Sequence, residues 1–427
     1  MILKNKQHTM LTKAFNILSI AMLTIASTCY AQIPTVKYKS PAPKGEIPIM
    51  AWGSIPADML TDENFEALKE AGINVNFSFH RFKNVSDVKK LLKMGKKHGI
   101  KSIITCPGLQ SNPDSIIKLI KSEKSLAGYF LMDEPGAADF DELAQLANKM
   151  KKADPGKLLY LNLFPCMTDA GTLGGTYEEY VEAFINKVNL PLVSWDIYPI
   201  TTIGVNHRWY ENLEIIRKSC LRHNLPFWSF ALSTPHSTSV TYPTPTIEHL
   251  RLQLYTALAY GAQGLQYFTY WCPPPYDRRF DYHEAPISDT GIRTHVYELT
   301  RTVNHEIQNR AFVFLGGKAT AVNHLGNHLP QGTTPLTTLP TGVDTLSVLN
   351  GGIVVSQIAN GNRRFLILVN RSWEQPVDLK LHFSSPAKLI RRDGSETSAN
   401  RYESLTRIAA GDVAIYELQK NTAGTHQ

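Results

Sequence analysis

The run GYFLMDEPG, residues 128–136, sets two acids, Asp133 and Glu134, at the end of an apolar stretch that Pro135 and Gly136 terminate. Adjacent carboxyls at the end of a buried strand carry a desolvation cost that a structural role rarely needs. Carboxyls in a shared cleft can divide acid and base work between them, because each raises the other's affinity for a proton. A third acid, Asp196, lies in SWDIYP with Tyr198 two residues on. Residues two apart on a strand share a face, so Asp196 and Tyr198 should project together. Trp52, Trp228, Tyr270 and Trp271 fall near the ends of other apolar runs, as does His80, and Glu284 sits in a loop beyond the last of them. Aromatic faces pack on the C–H faces of sugar rings, and carboxylates bond hydroxyls or transfer protons. The combination points to a carbohydrate site in which Glu134, Asp196 and Asp133 are the catalytic candidates. Tyr198, His80, Trp52, Trp228, Tyr270, Trp271 and Glu284 are the candidate substrate contacts.

What must position these residues is legible as a repeat. Eight β-rich apolar runs occur near 48–54, 73–79, 101–107, 126–132, 158–164, 192–198, 226–232 and 264–271. Between them lie helical patterns such as TDENFEALKEAG, SDVKKLLKMGKKHG and TIEHLRLQLYTALAYG, several opening on a capping Thr, Ser or Asp and closing on Gly. Continuously apolar strands alternating with helices predict a parallel (β/α)8 TIM barrel over 45–311, with a doubly wound sheet as the alternative. Such a barrel carries its chemistry at the carboxyl ends of its strands, where all these candidates fall. After about residue 312 the helical patterns stop. Asn-Gly-Asn between two alternating runs (GIVVSQIA and RRFLILVN) signals a hairpin, and further strand-like runs follow. A small C-terminal antiparallel β-sandwich is expected over 312–418, with a disordered tail over 419–427.

The 427 residues carry 44 Lys and Arg against 37 Asp and Glu. Three of the seven excess charges, Lys4, Lys6 and Lys13, lie in the first 31 residues, where they precede the apolar run FNILSIAMLTIAS and the small residues before Ala31. That order reads as a signal peptide over 1–31, so export to the periplasm or the cell exterior is expected; a lipid anchor at Cys29 fits less well, since Thr28 is a poor neighbour for it. That apolar run is too short for a comfortable membrane span, and the sequence has no other candidate. The remaining positive charge is diffuse, with no Arg/Lys stripe to receive nucleic acid. The spacing of Cys106, Cys166, Cys220 and Cys272 matches no zinc pattern, and no phosphate-cradling or nicotinamide fingerprint occurs. No cofactor or metal is expected, and nothing in the sequence points to a protein partner.

The strand-four DEP, the aromatic YFTYW of strand eight, the following TGIRTHVYELTRTVNHEI and the appended β-domain together resemble secreted bacterial (β/α)8 glycoside hydrolases of the clan A type, such as glycoside hydrolase family 42. The resemblance implies that Glu134 is the acid/base, delivering a proton to the leaving oxygen. It also implies Asn before that Glu and a nucleophilic Glu at the end of strand seven. Here Asp133 stands in the first position, and the strand-seven run PFWSFALST has no acid. Asp196 is therefore the expected second carboxylate, as nucleophile or base. The Asp-Glu pair is also similar to that of hexosaminidase families 20 and 123, whose Asp orients a substrate acetamido group that itself attacks. Substrate assistance through Asp133 is one alternative, and a barrel that only binds glycans is another.

Overall fold

The structure, a computed structural model, describes residues 37–79, 82–206, 208–274, 280–399 and 405–419. His80, the expected signal peptide with Cys29, and residues 420–427 of the expected tail lie outside this set.

Eight parallel strands form one sheet: β1 (Ile49–Trp52), β2 (Val75–Phe77), β3 (Lys101–Ile104), β4 (Leu126–Asp133), β5 (Leu158–Asn162), β6 (Val193–Trp195), β7 (Phe227–Leu232) and β8 (Gly264–Phe268). Their order is β5-β4-β3-β2-β1-β8-β7-β6. Leu163 closes the ring, bridging to Trp195 in parallel and donating its N–H to the Ser194 carbonyl at 2.8 Å. The result is a (β/α)8 barrel. Alternation along the strands explains why they are apolar throughout. Met50, Trp52, Val75, Phe77, Ile103, Phe130, Tyr160, Trp228 and Phe230 fill the interior. Ile49, Ala51, Tyr129, Leu131, Leu159 and Leu161 face outward into the layer packed by helices.

The principal helices are α1 (Asp62–Glu70), α2 (Val85–His98), α3 (Pro113–Ile120), α4 (Phe140–Ala153), α5 (Tyr177–Lys187), α6 (Arg208–His223), α7 (Ile247–Ala259) and α8 (His295–Asn309). Local signals set their ends. Thr61, Asn84, Thr246 and Thr294 accept first-turn N–H groups, Thr176 and Glu179 form a capping box, and Gly99 (φ +77°) ends α2 in the left-handed region that a Cβ disfavours.

Nine further strands build the second domain: β9 (Lys318–Gly326), β10 (Val343–Val348), β11 (Gly352–Asn360), β12 (Arg363–Asn370), β13 (Val377–Phe383), β14 (Ala387–Ile390), β15 (Glu396–Ser398), β16 (Thr406–Ile408) and β17 (Val413–Leu418). They pair antiparallel in sheets of order β9-β11-β12-β17-β14-β15 and β10-β13-β16, a β-sandwich whose own core includes Val355, Leu366, Leu368, Leu379 and Leu381. The outer face of the larger sheet is not left to solvent. Val354, Ile358, Phe365, Ile367 and Ile415 join the same apolar cluster as the barrel helices. This explains the composition of α7, in which every residue from Leu252 to Ala259 is buried, a pattern of a helix covered on all sides. Polar ties complete the seam. Ser356 donates to the Ala259 carbonyl at 2.6 Å and Arg310 bonds both Tyr255 and the Arg391 carbonyl at 2.9 Å. Arg251 holds Glu306 through two hydrogen bonds, 3.1 and 2.6 Å. Cutting the chain after Leu315 should therefore strip the outer face of α7 and leave an insoluble or molten barrel; soluble yield and the sharpness of the thermal transition measure this.

Candidate active site

The carboxyl ends of β4, β5 and β6 bring Asp133, Asn162 and Asp196 together. Simple alternation along β4 would not do so. Phe130 pairs with Tyr160, both inside the barrel, and two residues further on the next inward position would be Met132. The register instead shifts between Phe130 and Asp133, so that Asp133, not Met132, stands opposite Asn162. One extra residue in the strand, a β-bulge, flips its parity. Met132 packs against the outer cluster. Glu134 follows at φ +45°, a left-handed conformation that non-glycine residues rarely adopt. Three contacts hold it there: the Glu134 N–H donates to the Asn162 carbonyl at 2.8 Å, Tyr180 Oη donates to the Pro135 carbonyl at 2.6 Å, and the Gly136 N–H donates to Asp139 Oδ2 at 2.8 Å. Strain that the surroundings over-determine in this way is typical of functional positions.

The side-chain amide of Asn162 donates to Asp196 Oδ1 at 2.7 Å and reaches Asp133 Oδ1 at 3.4 Å. The nearby Tyr198 hydroxyl also favours the charged form of Asp196. Among the described residues, no Lys or Arg pairs with Asp133, Glu134 or Asp196, and Glu134 has no side-chain donor of its own. Three carboxyls with no countercharge among the described residues cannot all ionise cheaply. Burial, then the charges of Asp196 and Asp133, push Glu134 up to about 9. Burial, then Asp196, raise Asp133 to about 7 against the pull of Asn162. Asp133 is the member most open to solvent at the mouth, which limits its rise to less than that of Glu134. Burial raises Asp196 too, but Asn162 and Tyr198 both oppose the shift by favouring its charged form. At neutral pH Glu134 therefore holds a proton, and Asp196 is the best-supported anion.

Tyr198 and Asp196 lie just past the end of β6 and share a side of the chain. Tyr198 belongs to an aromatic wall: its ring lies 5.5 Å from Phe268, 5.9 Å from Tyr242 and 6.4 Å from His236. His236 stacks on Tyr242 at 4.6 Å and meets Tyr282 at 5.0 Å; burial lowers its proton affinity, so it is a neutral member of the wall. Trp52 forms the floor, 4.7 to 6.1 Å from Phe77, Phe79, Phe130, Tyr160 and Phe230. At 3% exposure it shapes the base of the mouth more than its rim.

Three of the expected aromatic contacts lie elsewhere. Trp228 is the second residue of β7 and sits toward the amino-terminal end of the barrel, opposite Gly264, where a Cβ would come within 2.4 Å of the indole; its Nε1 donates to Tyr38. It plugs the barrel bottom. Tyr270 and Trp271 follow the end of β8 at Phe268 and are each 1% exposed. Their N–H groups bond the carbonyls of Trp52 and Gly53, which carries both side chains into the packing behind the rim. Glu284 is an exposed loop residue whose Oε2 accepts from Thr244 at 2.7 Å. Nothing in the contacts around it ties it to the carboxyl cluster. Residues outside the initial candidates complete the mouth: Asn162, Phe268, His236, Tyr242 and Tyr282. Asn162 had a signal, as a lone amide in the apolar run LLYLNLF at the same parity as the interior Tyr160.

No protein-family model matches the chain, and no curated protein matches its sequence. Its fold does match solved structures. It is similar to a GH42 β-galactosidase from G. stearothermophilus (TM-score 0.58, 9% identity, covering 90% of this chain and 99% of that one). It is also similar to a glycoside hydrolase family 5 protein from Bacteroides vulgatus (TM-score 0.53, 12% identity, 87% and 88% covered) and to an α-amylase from Geobacillus thermoleovorans (TM-score 0.52, 12% identity, 89% and 100% covered). The chain shares the architecture of these barrel glycoside hydrolases. At such identities the likeness is one of fold.

The crowding of the carboxyls has a measurable cost. Asp133 keeps its proton to about 7 when folded and releases it near 3.8 when not. Between those values the folded chain binds more protons, so its stability falls as pH rises. Asp133→Asn removes that slope, and its melting temperature should gain on the parent's as pH is raised from about 4 to about 8. Glu134→Gly relieves both the left-handed backbone and a buried carboxyl, and should melt above the parent at pH 7. Calorimetry across a pH series measures both.

Proposed function

We propose that this protein is a glycoside hydrolase cleaving O-glycosidic bonds in oligo- or polysaccharides, with Glu134 as general acid/base and Asp196 as the carboxylate that meets the anomeric carbon. One observation carries the reading: Glu134, bonded by no side-chain donor among the described residues and pushed up by burial and its acidic neighbours, stands beside Asp196, which accepts from Asn162 at 2.7 Å. Cleaving an acetal needs both, a proton for the leaving oxygen and negative charge near the forming oxocarbenium ion. The shared architecture with barrel glycoside hydrolases supports the same class.

A sugar ring would rest over the Trp52 floor with Tyr198, Phe268 and Tyr242 beside it. Glu134 gives its proton to the glycosidic oxygen as the C–O bond breaks. The electron pair stays with the departing alcohol, and the cationic ring carbon faces Asp196. Asp196 then either bonds that carbon or takes a proton from the water that does. In the first case Glu134, now ionised, activates the water that releases the sugar. Asp133 keeps the Glu134 proton in place by its neighbouring charge. The leader-like composition of the first 31 residues supports an activity outside the cytoplasm, on a glycan met after export.

Glu134→Gln should lower turnover of an unactivated glycan by several orders of magnitude and spare substrates with very good leaving groups, which need less protonation. Asp196→Ala should be rescued by azide on an activated aryl glycoside if the carboxylate attacks directly, giving a glycosyl azide of inverted configuration that NMR reads. A screen of aryl glycosides and plant and host polysaccharides supplies the substrate. A folded Glu134→Gln variant with normal hydrolysis of an unactivated glycan would remove Glu134 from the role. An unimpaired Asp196→Ala variant cleaving only N-acetylated sugars would move the second role to Asp133 and the substrate.

A further inference from the structure

Asn162 makes an unusual set of contacts for a residue only 3% exposed. Its amide nitrogen has two hydrogens and faces two carboxylates from different strands, Asp196 at 2.7 Å and Asp133 at 3.4 Å. Its amide oxygen accepts from Ser194 Oγ at 2.9 Å. Ser194 Oγ in turn accepts from Gln266 Nε2 at 2.9 Å, and Gln266 Oε1 accepts from the Tyr160 hydroxyl. This chain of side chains crosses the barrel interior from β8 through β5 and β6, and every one of its members is buried. The two carboxylates favour one orientation of the amide. Turning Asn162 over would aim its oxygen at both of them.

The amide thereby spaces Asp133 and Asp196, whose bonded oxygens are within about 6 Å of each other by the two distances. It supplies donors to both and none to Glu134. Among the described residues, the other titratable groups around the cluster are the phenols Tyr160, Tyr177, Tyr198 and Tyr242 around Asp196, Tyr180 beside Glu134, and His236 against Tyr198, whose proton affinity burial lowers. None of these is a cation bonded to a carboxyl, so the amide's allocation of its two hydrogens ranks the three carboxyls.

We propose that Asn162, clamped by Ser194 and Gln266, is a positioning residue that assigns the negative charge of the acidic cluster to Asp196 and leaves the proton on Glu134. The assignment is a property of the unliganded protein, although its use in turnover rests on the glycosidase reading.

The test has two arms that can fail separately. The first uses no substrate. Difference infrared titration of the carboxyl bands, with Asp196→Asn and Glu134→Gln as assignments, follows ionisation in the full-length protein. Asn162→Ala should move Asp196 ionisation upward by about one pH unit or more. Ser194→Ala, a small change that leaves Asn162 in place but frees it to turn, should move it in the same direction by less. If Asn162→Ala fails to fold, Ser194→Ala carries this arm, and the thermal transition of each variant checks folding. The second arm uses an activated aryl glycoside. The acidic limb of the kcat profile should move to higher pH in both variants, with kcat lowered about tenfold or more at pH 6 in Asn162→Ala and KM little changed. Unmoved carboxyl bands in the folded variants would overturn the proposal whatever the enzyme cleaves. Shifted bands with no hydrolysis of any substrate would leave the charge assignment standing and count against the glycosidase reading. A uniform loss of activity at all pH values with a raised KM would reduce Asn162 to a structural role.

Discussion

Three carboxyls, from two barrel strands and one strand end, are gathered where water is partly excluded and no cation is bonded to them among the described residues. Like charges in that setting repel far more strongly than on the surface. The arrangement survives because the cluster need not be fully charged: a group that keeps its proton pays only for its burial as a neutral dipole. The same repulsion that costs stability stores a proton on Glu134 at a pH where a free glutamate would have lost it. The conformational strain at that residue, φ +45°, belongs to the same account. A bulge turns Asp133 inward, the left-handed turn brings Glu134 to the same mouth, and the loop is fixed by a hydrogen bond from Tyr180 and by its own N–H groups donating to Asp139 and to the Asn162 carbonyl of β5.

The rest of the molecule is arranged so that this region cannot relax. Below the carboxyls, the ring stack of Trp52, Phe77, Phe130, Tyr160 and Phe230 fills the barrel and denies water a path from the other end. Beside them the polar chain from Gln266 to Asn162 crosses the interior with its groups bonded to one another, as a buried network must be to avoid unpaired dipoles. Outside, the larger sheet of the sandwich covers α7 and is tied to α8 through Arg310. Arg392 extends the tie: it pairs with Asp412 and approaches Glu306 of α8 at 3.8 Å. The second domain thus braces the barrel wall at α7 and α8.

The sequence carried the architecture because it depends on patterns that repeat: apolar runs at regular intervals, capped helices between them, and an abrupt change to alternating strands. Glu134, Asp133, Asp196 and Tyr198 were legible as acids and a phenol at strand ends, and the structure joins Asp133 and Asp196 through Asn162 with Tyr198 beside Asp196. What sequence could not supply was depth along the barrel axis. Trp228 has the right parity to face inward, but lies near the start of its strand, so it fills the bottom. Tyr270 and Trp271 continue an aromatic run that reads as strand, yet pairing stops at Phe268 and the chain turns behind the rim. The bulge in β4 was equally invisible, since no residue type marks it. Only the register against β5 shows that one residue has been added.

The absence of an acid from the end of β7 is compatible with two-carboxylate chemistry once the wall of the barrel is followed strand by strand. After Leu232, Ser233 and Thr234 turn their hydroxyls to the Thr269 carbonyl and knit β7 to the loop following β8. That position is spent on holding the rim. Asp196 instead projects from β6, two strands from Glu134, with β5 between them. Adjacent strands lie about 4.8 Å apart, so the two backbones are separated by roughly 10 Å along a curved wall, and less across it. Side chains leaning inward from such positions can approach to the separations of about 5 to 9.5 Å that glycoside hydrolysis uses, with or without an intervening water. An acid three strands away on β7 would have left β5 and β6 free to carry other groups. With the pair on β4 and β6, the intervening strand has to present something that tolerates both charges, and on β5 that residue is Asn162, an amide whose two hydrogens meet both.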